Sequence, residues 1–381
     1  EAMVLRRARG YAPLPLSAST VSEDVLAVGG HLKNSVAFSK GGTIFPSQHI
    51  GNLENVPAID AFQKTIGSMR GLLEITPKRV IHDLHPDYAS TRFALKQGLP
   101  TVAVQHHFAH VLSCMAEHNL EGPVLGISWD GTGYGPDGTI WGGEFLRCTC
   151  EDYARVARLR PFHLPGGDAA VRDPWRSALS LLHEVWEEPV ELLDGLPTLA
   201  AVAQRERDTI TTMLTKGINA PWTSSMGRLF DGVASLCGCC QRSTFEGQAA
   251  MTLERVALRY RPDGFPLTLD VDGHDDLLSL NWERMIVRVV EAVLDGIPTG
   301  AIAKGFHAAL VAAIVQVAEA ACLDDIVLTG GCFQNQLLLE ESLAALKKSG
   351  FRVYRHHVIP PNDGGIAVGQ AWFKTGENCH E

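Results

Sequence analysis

The sequence predicts an α/β fold in two lobes, with a helical segment inserted between them. Three observations support this class. Short apolar stretches typical of buried strands alternate with stretches of helical periodicity through the first half of the chain. The segment from about Arg172 to Leu258 is mostly helical, with prolines as punctuation. The strand–turn–helix pattern then returns near the C-terminus, at residues 326–348.

In the first half, residues 24–29 (DVLAVG) are predicted to form a buried strand, followed by a hairpin across Gly41 and Gly42. Apolar residues recur with helical spacing over residues 56–73, which indicates a helix. The remaining predicted elements are a strand at 79–83, a helix at 86–96, a strand at 101–105 leading into a helix, and strands at 124–130 and 139–147.

In the second half, the predicted elements are helices at 283–294 and 298–321, a strand at 326–329, a helix at 336–348, a strand at 352–354 and a helix at 365–373. The most apolar helical stretch is interrupted by Gln316 and Glu319. Because a membrane span needs about 20 apolar residues, we interpret this stretch as a core helix and expect no association with a membrane.

Residues 1–22 do not resemble the start of a domain, because arginines, prolines and a Ser/Thr run follow one another there. We therefore predict four parts, which are a tail and linker (1–22), a first lobe (23–150), a helical insertion with the start of the second lobe (151–300) and the remainder of the second lobe (301–381).

Composition narrows the functional class. The formal net charge is −10, which disfavours a protein that binds nucleic acid through a basic face. The nine cysteines show no disulfide framework, and the group Cys237, Cys239 and Cys240 lacks the paired knuckles of a zinc finger. We interpret this group of three as buried thiols, with a structural zinc site as the alternative, and expect a reduced, cytoplasmic protein without a signal peptide.

The first candidate site is the run His106-His107-Phe108-Ala109-His110, at the end of an apolar strand. On a helix, His106 and His110 share a face, and His107 lies off it. Two imidazoles at this spacing can hold one divalent ion, zinc or iron. The alternative is a pair of histidines without a ligand. A zincin helix is excluded, because the glutamate that would follow the first histidine is missing.

The second candidate site is a glycine-rich turn after the next strand. Asp130 ends the strand and is followed by Gly131, Thr132 and Gly133. The backbone N–H groups of such a turn can line a phosphate, and the aspartate can hold a metal. The alternative is an ordinary hairpin turn, since Asp-Gly is a hairpin signal. An aspartic protease is excluded, because that class is all-β and needs a second such motif.

Two further turns complete the pattern. A strand ends at Gly330 and Gly331 before a helix, where Asn335 is a candidate contact for adenine or ribose. Asp363 begins the last helix, either as an N-cap or as a metal ligand. Two halves that each carry a strand-to-glycine turn and an aspartate predict an ATP-binding cleft of the kind that actin, Hsp70 and sugar kinases share.

Beyond these residues, the order of the motifs resembles the C-terminal half of the HypF carbamoyltransferases, over residues 20–375. The motifs are VQHHFAH, WDGTGYG, IWGGEFL, LPGGDAAVRDPWRSAL, INAPWTSSMGRLFDGVASL, FEGQAAMTLE, LTGGCFQN and NDGGIAVGQ. The resemblance implies two RNase H-like lobes of the actin/Hsp70/sugar-kinase (ASKHA) type. It also implies that residues 1–22 are the end of a YrdC-like domain plus a linker.

The resemblance further implies site residues. The metal ligands, which would also be the catalytic residues, are His106, His110, Asp130 and Asp363. The residues implied at the nucleotide, together with the glycines of the third turn, are Gly131, Thr132, Gly133, Asp231, Gly247, Gly330, Gly331 and Asn335. The alternative for Asp231 is a solvated helix charge. The expected metal is iron or zinc, with magnesium as a further alternative.

The implied activity is carbamoyl transfer in [NiFe]-hydrogenase maturation. A YrdC-like domain makes carbamoyl-adenylate from ATP and carbamate derived from carbamoyl phosphate, and this part passes the carbamoyl group to the C-terminal cysteine of HypE. We expect a piece of a longer protein. The alternatives are an ATPase of the Hsp70/actin class, a threonylcarbamoyl transferase acting on tRNA, and a nucleotide-binding module without enzymatic activity.

Overall fold

The protein is described by a computed structural model over residues 3–18, 21, 23–186, 195–274 and 277–374. The first lobe is built on a six-stranded sheet in the order β1-β4-β3-β2-β5-β6. Its strands are β1 (Leu16–Ser17), β2 (Val25–Ala27), β3 (Ala37–Lys40), β4 (Thr43–Pro46), β5 (Arg79–Asp83) and β6 (Thr101–Val104). Its helices are α1 (Val56–Leu73), α2 (Ala89–Ala94) and α3 (His106–His118).

The second lobe is built on a seven-stranded sheet in the order β12-β13-β9-β8-β7-β14-β15. Its strands are β7 (Val124–Trp129), β8 (Gly143–Cys148), β9 (Tyr153–Leu159), β12 (Asp270–His274), β13 (Leu277–Asn281), β14 (Asp325–Thr329) and β15 (Arg352–Arg355). The later helices are α10 (Glu283–Leu294), α11 (Thr299–Ala321), α12 (Gln336–Lys348) and α13 (Ile366–Trp372).

The segment between β9 and β12 is mainly helical, as predicted. It contains the short pair β10 (Phe162–His163) and β11 (Trp222–Thr223). Its helices are α4 (Asp168–Arg172), α5 (Pro174–Trp186), α6 (Pro197–Ala200), α7 (Gln204–Lys216), α8 (Met226–Leu236) and α9 (Gln248–Arg259). Helices α5 and α8 contribute to one core with the second sheet, so the insertion is packed onto this lobe.

Both lobes repeat one topology. In each sheet, three consecutive strands pair antiparallel, and two later strands then add in parallel beside the first of the three. The resulting spatial orders are β4-β3-β2-β5-β6 and β9-β8-β7-β14-β15. This arrangement is RNase H-like, and the predicted fold class is confirmed. The turns that follow β5, β6, β7 and β14 therefore lie at equivalent edges of the two sheets.

The lobes do not follow the predicted residue ranges in one respect. Strands β7 and β8 lie in the second sheet, although both precede residue 150, where the first lobe was expected to end. Helix α13 returns to pack on α3 and on strands of the first sheet. Residue 22, the expected end of the tail, lies outside the described residues, but β1 within that tail pairs with β4.

Among the described residues, one helix, α11, is long and apolar enough to cross a membrane. Its most apolar 18-residue window is 72% buried inside the protein. Residues such as Phe306, Leu310 and Ile314 are fully buried in the core of the second lobe. The helix therefore has the position of a core helix, as predicted.

Candidate metal centre and nucleotide cleft

Helix α3 begins at the first histidine of the predicted pair. Gln105 is its N-cap, and the side-chain oxygen accepts a hydrogen bond from Phe108 N at 2.9 Å. His106 and His110 follow on one face, at most 1% exposed. His107 lies off this face, and Gln105 Nε2 lies 3.2 Å from its Nδ1. The local sequence thus fixes the direction in which the two ligand imidazoles point.

The four predicted ligands converge. One atom from each of His106, His110, Asp130 and Asp363 lies within 4.8 Å of the others. His110 Nε2 lies 3.0 Å from Asp130 Oδ2, and Asp363 Oδ1 lies 3.9 Å from His106 Nε2 and 3.8 Å from His110 Nε2. Asp130 follows β7 and Asp363 opens a short turn before α13, so residues far apart in the chain meet at one point.

A residue that sequence reasoning missed contacts the first candidate ligand, His106. Asp83 ends β5 and is fully buried, and its Oδ2 lies 2.8 Å from His106 Nδ1. A carboxylate on Nδ1–H fixes the tautomer and leaves Nε2 free to bind a metal. The other Asp83 oxygen accepts a hydrogen bond from His85 N at 2.9 Å. The signal for Asp83 was its place at the end of a buried strand beside the strand that leads to His106.

The electrostatics suit a cation. Burial disfavours the charged form of His106, but Asp83, Asp363 and Asp130 outweigh burial and raise its pKa to about 9. Burial raises the pKa of Asp363, although the nearby histidines and Lys33 oppose this. For Asp130, burial is opposed by the hydrogen bond and charge of His110, which hold its pKa well below the usual range. The carboxylates at this point therefore favour a nearby positive charge, such as a proton on an imidazole or a metal ion.

The residues fit a bound divalent metal. Three of the converging atoms, His106 Nε2, His110 Nε2 and Asp130 Oδ2, are buried. Of these, His106 Nε2 has no hydrogen-bond partner, and the other two atoms face each other at 3.0 Å. A buried polar atom without a partner is rare in folded proteins, and a cation would satisfy His106 Nε2 and bind the other two atoms as well. Two imidazole nitrogens and two carboxylate oxygens form a donor set suited to zinc or iron.

Two glycine turns enclose the Asp130 side chain. A Cβ atom on Gly331 would lie 2.9 Å from Asp130 Oδ1, so a larger residue there would displace this carboxylate. Gly330 has φ +94°, and a Cβ there would lie 2.3 Å from Trp129 O. A Cβ on Gly133 would lie 2.3 Å from the His107 ring. The turns after β7 and β14 are therefore packed against each other and against α3.

The predicted nucleotide residues are distributed around this centre. Gly131 lies beside helix α8, where a Cβ on it would come 3.6 Å from Arg228 Nη2. Asp231 pairs with Arg228 at 3.0 Å and is 3% exposed, so it is not a solvated surface charge. Burial, opposed by Arg228, raises the pKa of Asp231 to about 6. Thr132 is exposed on the same turn.

Asn335 and Gly247 have structural tasks of their own. Asn335 is the N-cap of α12, with Oδ1 accepting from Leu338 N at 2.9 Å and Nδ2 lying 2.9 Å from His307 Nε2. Gly247 is the N-cap of α9 with φ +76°. That Asn335 and Gly247 contact a nucleotide remains a prediction, as it does for the other residues of this group.

An ion pair joins the lobes beside the metal centre. Lys33, in the loop between β2 and β3, lies 2.6 Å from Glu246, which directly precedes Gly247. Burial would lower the pKa of Lys33, but Asp363, Glu246 and Asp130 outweigh it and raise that pKa. Sequence reasoning did not select Lys33, because its relation to Asp363 depends on the packing of the two lobes.

The cysteines within the described residues take no part in this centre. The eight cysteines in the described part of the chain are unpaired. Cys237 and Cys240 are buried, and they belong to the core of the second lobe. Across the described residues, the converging His/Asp group is the one cluster of this kind with metal-ligand spacing, and the cysteine cluster forms no such group.

Comparison with known proteins gives matches over nearly the whole chain. The family described as "HypF Kae1-like domain" matches residues 20–117, and that described as "Carbamoyltransferase, Kae1-like Domain, second subdomain" matches residues 126–370. Carbamoyltransferase HypF of Synechocystis sp. is 42% identical over 387 residues, covering 98% of this chain and 50% of that protein. A carbamoyltransferase HypF homolog of Cupriavidus necator is 36% identical, covering 94% of this chain and 93% of that protein.

Two solved HypF structures share the fold of this chain. Full-length HypF in its phosphate- and nucleotide-bound form superposes with a TM-score of 0.92 at 38% identity, covering 97% of this chain and 49% of that chain. HypF of T. kodakarensis gives a TM-score of 0.89 at 32% identity, covering 97% and 50%. The chain thus spans about half the length of these two HypF chains and of the Synechocystis relative. By family match, identity and fold, the chain belongs to the HypF carbamoyltransferase family, in its Kae1-like region.

Proposed function

We infer that this chain carries out the carbamoyl-transfer step of [NiFe]-hydrogenase maturation. The substrate is carbamoyl-adenylate, made from carbamoyl phosphate and ATP by a YrdC-like domain, and the acceptor is the C-terminal cysteine thiol of HypE. In this step the bond between the carbamoyl carbon and the adenylate phosphate oxygen breaks and a carbon–sulfur bond forms. AMP leaves, and the thiol proton is released.

The observation that carries the proposal is the convergence of His106, His110, Asp130 and Asp363 beside glycine turns in a chain of the HypF family. A divalent metal held by these residues would polarise the carbamoyl carbonyl and neutralise phosphate charge. The metal, the nucleotide contacts and HypE as acceptor are parts of the proposal, as is a cytoplasmic setting.

The chain's own residues have defined tasks under this proposal. Asp83 accepts the Nδ1 proton of His106 and thereby keeps Nε2 directed at the centre. Gly131 N donates a hydrogen bond to Asp130 Oδ1 at 2.7 Å and so orients this carboxylate, and the turn at Gly331 borders the same side chain. Lys33 supplies a positive charge at the same place from the other lobe. Such a site positions a substrate that is already activated and stabilises developing charge.

The test is transfer of label. Purified chain loaded with Zn²⁺ or Fe²⁺ is mixed with synthetic carbamoyl-adenylate, labelled at the carbamoyl carbon, and with HypE. Label is expected on the C-terminal cysteine of HypE, and a HypE variant without that cysteine serves as the control acceptor. His106→Ala is expected to abolish transfer, while its circular dichroism spectrum stays that of the folded wild type.

Other outcomes distinguish the alternatives. ATP hydrolysis by the chain without any carbamoyl acceptor, and no labelled HypE, would favour an Hsp70/actin-like ATPase. Label incorporated into tRNA would favour a tRNA-modifying transferase. Formation of carbamoyl-adenylate from ATP and carbamoyl phosphate by this chain alone would place the adenylating site here and contradict the proposed division of labour.

A further inference from the structure

The segment of residues 3–17, expected from the sequence to be a tail and linker, lies against the folded protein. Its strand β1 pairs antiparallel with β4, and His49 N donates a hydrogen bond to Arg7 O at 2.8 Å. Most side chains of the segment are exposed, but Arg7 is only 4% exposed. We call residues 3–17 the strap. Because the strap buries little apolar surface, its attachment depends on polar contacts centred on Arg7.

The Arg7 guanidinium links the strap to another part of the chain. Its Nη1 donates to Val358 O at 2.9 Å. Its Nη2 donates to Leu14 O at 2.8 Å and to Tyr11 O within the strap itself. A planar guanidinium is suited to several carbonyl acceptors at once, and it stays charged when buried. One side chain therefore closes the turn of the strap and holds the backbone at residue 358.

Val358 lies in the segment of residues 356–365, which we call the Asp363 loop. Across this loop, the Glu117 carboxylate of α3 accepts hydrogen bonds from the N–H groups of His357, Val358 and Ile359, at 2.8, 2.7 and 3.1 Å. Residue 358 is thus held through its N–H by Glu117 and through its C=O by Arg7.

A second strap contact lies next to the metal ligand. Leu5 O accepts a hydrogen bond from Asn362 Nδ2 at 3.2 Å. Asn362 Oδ1 in turn accepts from Gly364 N at 3.0 Å and so closes the turn that carries Asp363. The strap therefore contacts the residue that immediately precedes the ligand.

The need for such support follows from where the four ligands lie. His106 and His110 are on α3, and Asp130 directly follows β7. Asp363 is instead carried by a loop whose only regular structure is a single 3₁₀ turn. A ligand on a loop is held accurately only when surrounding groups fix the backbone. Arg7 and Leu5 supply part of this fixation from the other end of the chain.

We propose that residues 3–17 act as a strap that positions Asp363 for the metal, with Arg7 as the positioning residue that anchors it. This inference rests on the metal centre of the proposed function. Displacement of the strap would therefore alter the geometry of the transfer site.

The experiment compares Arg7→Ala with Arg9→Ala, which replaces an exposed arginine on the same strap. The first readout is amide hydrogen exchange in peptides that cover residues 356–365. The second is Co²⁺ affinity, with the visible absorption spectrum of the bound ion. Arg7→Ala is expected to speed exchange in the Asp363 loop. It is also expected to weaken Co²⁺ binding by up to about tenfold, the lower end of the range for direct outer-shell partners, because Arg7 acts on Asp363 only through the loop backbone at Val358. Arg9→Ala is expected to match the wild type in both.

Arg7→Lys gives a graded check, because a single ammonium cannot reproduce three carbonyl contacts and should fall between the wild type and Arg7→Ala. Unchanged exchange in the loop of Arg7→Ala, or unchanged Co²⁺ affinity despite faster exchange, would overturn the strap proposal. The metal centre itself is judged separately, because its failure would appear as a wild type and a His106→Ala variant that both bind no Co²⁺. That result would overturn both proposals. If His106→Ala weakens Co²⁺ binding and Arg7→Ala does not, the strap proposal alone is overturned.

Discussion

Replacing Asp83 by Asn tests whether this buried carboxylate supports the metal centre. The His106 Nδ1 and Asp83 Oδ2 atoms are 2.8 Å apart, and both side chains are at most 1% exposed. Asparagine keeps an acceptor oxygen and the shape but removes the charge. We expect metal binding to weaken about tenfold, the lower end of the range for outer-shell partners. This corresponds to about 1.4 kcal/mol of binding free energy.

Proton competition does not cancel this effect. Asp83 helps to raise the pKa of His106 to about 9, so a proton competes with the metal for His106 Nε2 at neutral pH. Removing the carboxylate weakens both the proton and the metal at that nitrogen. A divalent ion interacts with the carboxylate more strongly than a single proton charge does, because Coulomb energy scales with charge. The net result at neutral pH is still weaker metal binding.

The assay is calorimetric titration of Zn²⁺ into wild type and Asp83→Asn, with thermal denaturation of the metal-free proteins as a check on folding. Asp87→Asn is the matched control, since Asp87 follows on the same loop but its side chain is exposed and pairs with Arg92. The control should bind Zn²⁺ as the wild type does. If Asp83→Asn also binds within twofold of the wild type, Asp83 does not support the ligand and the reasoning is wrong.

Three further changes test the frame around the site. Gly330→Ala should lower the free energy of unfolding by about 2–4 kcal/mol in urea, because φ is +94° and the Cβ would meet Trp129 O at 2.3 Å; Gly350→Ala, at φ +93° in open space, should cost about 1 kcal/mol. Burial opposes ionisation of Glu117, but hydrogen bonds, that of His356 first, lower its pKa from 4.5 to about 2. Its stabilisation is therefore complete above pH 4.5 and lost as pH falls towards 2, so the stability difference between wild type and Glu117→Gln should shrink over that interval. Asn335→Ala should lower the melting temperature by an amount equivalent to about 1 kcal/mol, since it removes the N-cap of α12.

The sequence was sufficient to select His106, His110 and Asp130 as candidate metal ligands, because their signals are local. His106 and His110 are separated by one helical turn, and Asp130 follows a buried strand. Such patterns do not depend on which elements pack together. The bounds of α1, α10 and α12 were also predicted correctly, since their apolar periodicity is strong and their ends carry caps or breakers.

Features that depend on long-range packing could not be predicted. The contact of Asp83 with His106 requires β5 and β6 to be neighbours in the sheet. The assignment of β7 and β8 to the second lobe depends on pairing with β14, about 200 residues later in the chain. The contact of the strap with the rest of the protein could not be predicted either, because Arg7 bonds Val358, which lies near the other end of the chain. Composition alone indicated a linker there, since the segment has almost no apolar pattern.

The central claim is that four side chains from distant parts of the chain hold one divalent metal. It is tested most directly by anomalous diffraction from crystals of the purified chain grown with Zn²⁺, recorded on both sides of the zinc absorption edge. The account predicts one strong anomalous peak, about 2.0–2.2 Å from the Nε2 atoms of His106 and His110 and from carboxylate oxygens of Asp130 and Asp363. A fully folded structure with no peak there at saturating Zn²⁺, or with the peak bound elsewhere, would contradict it.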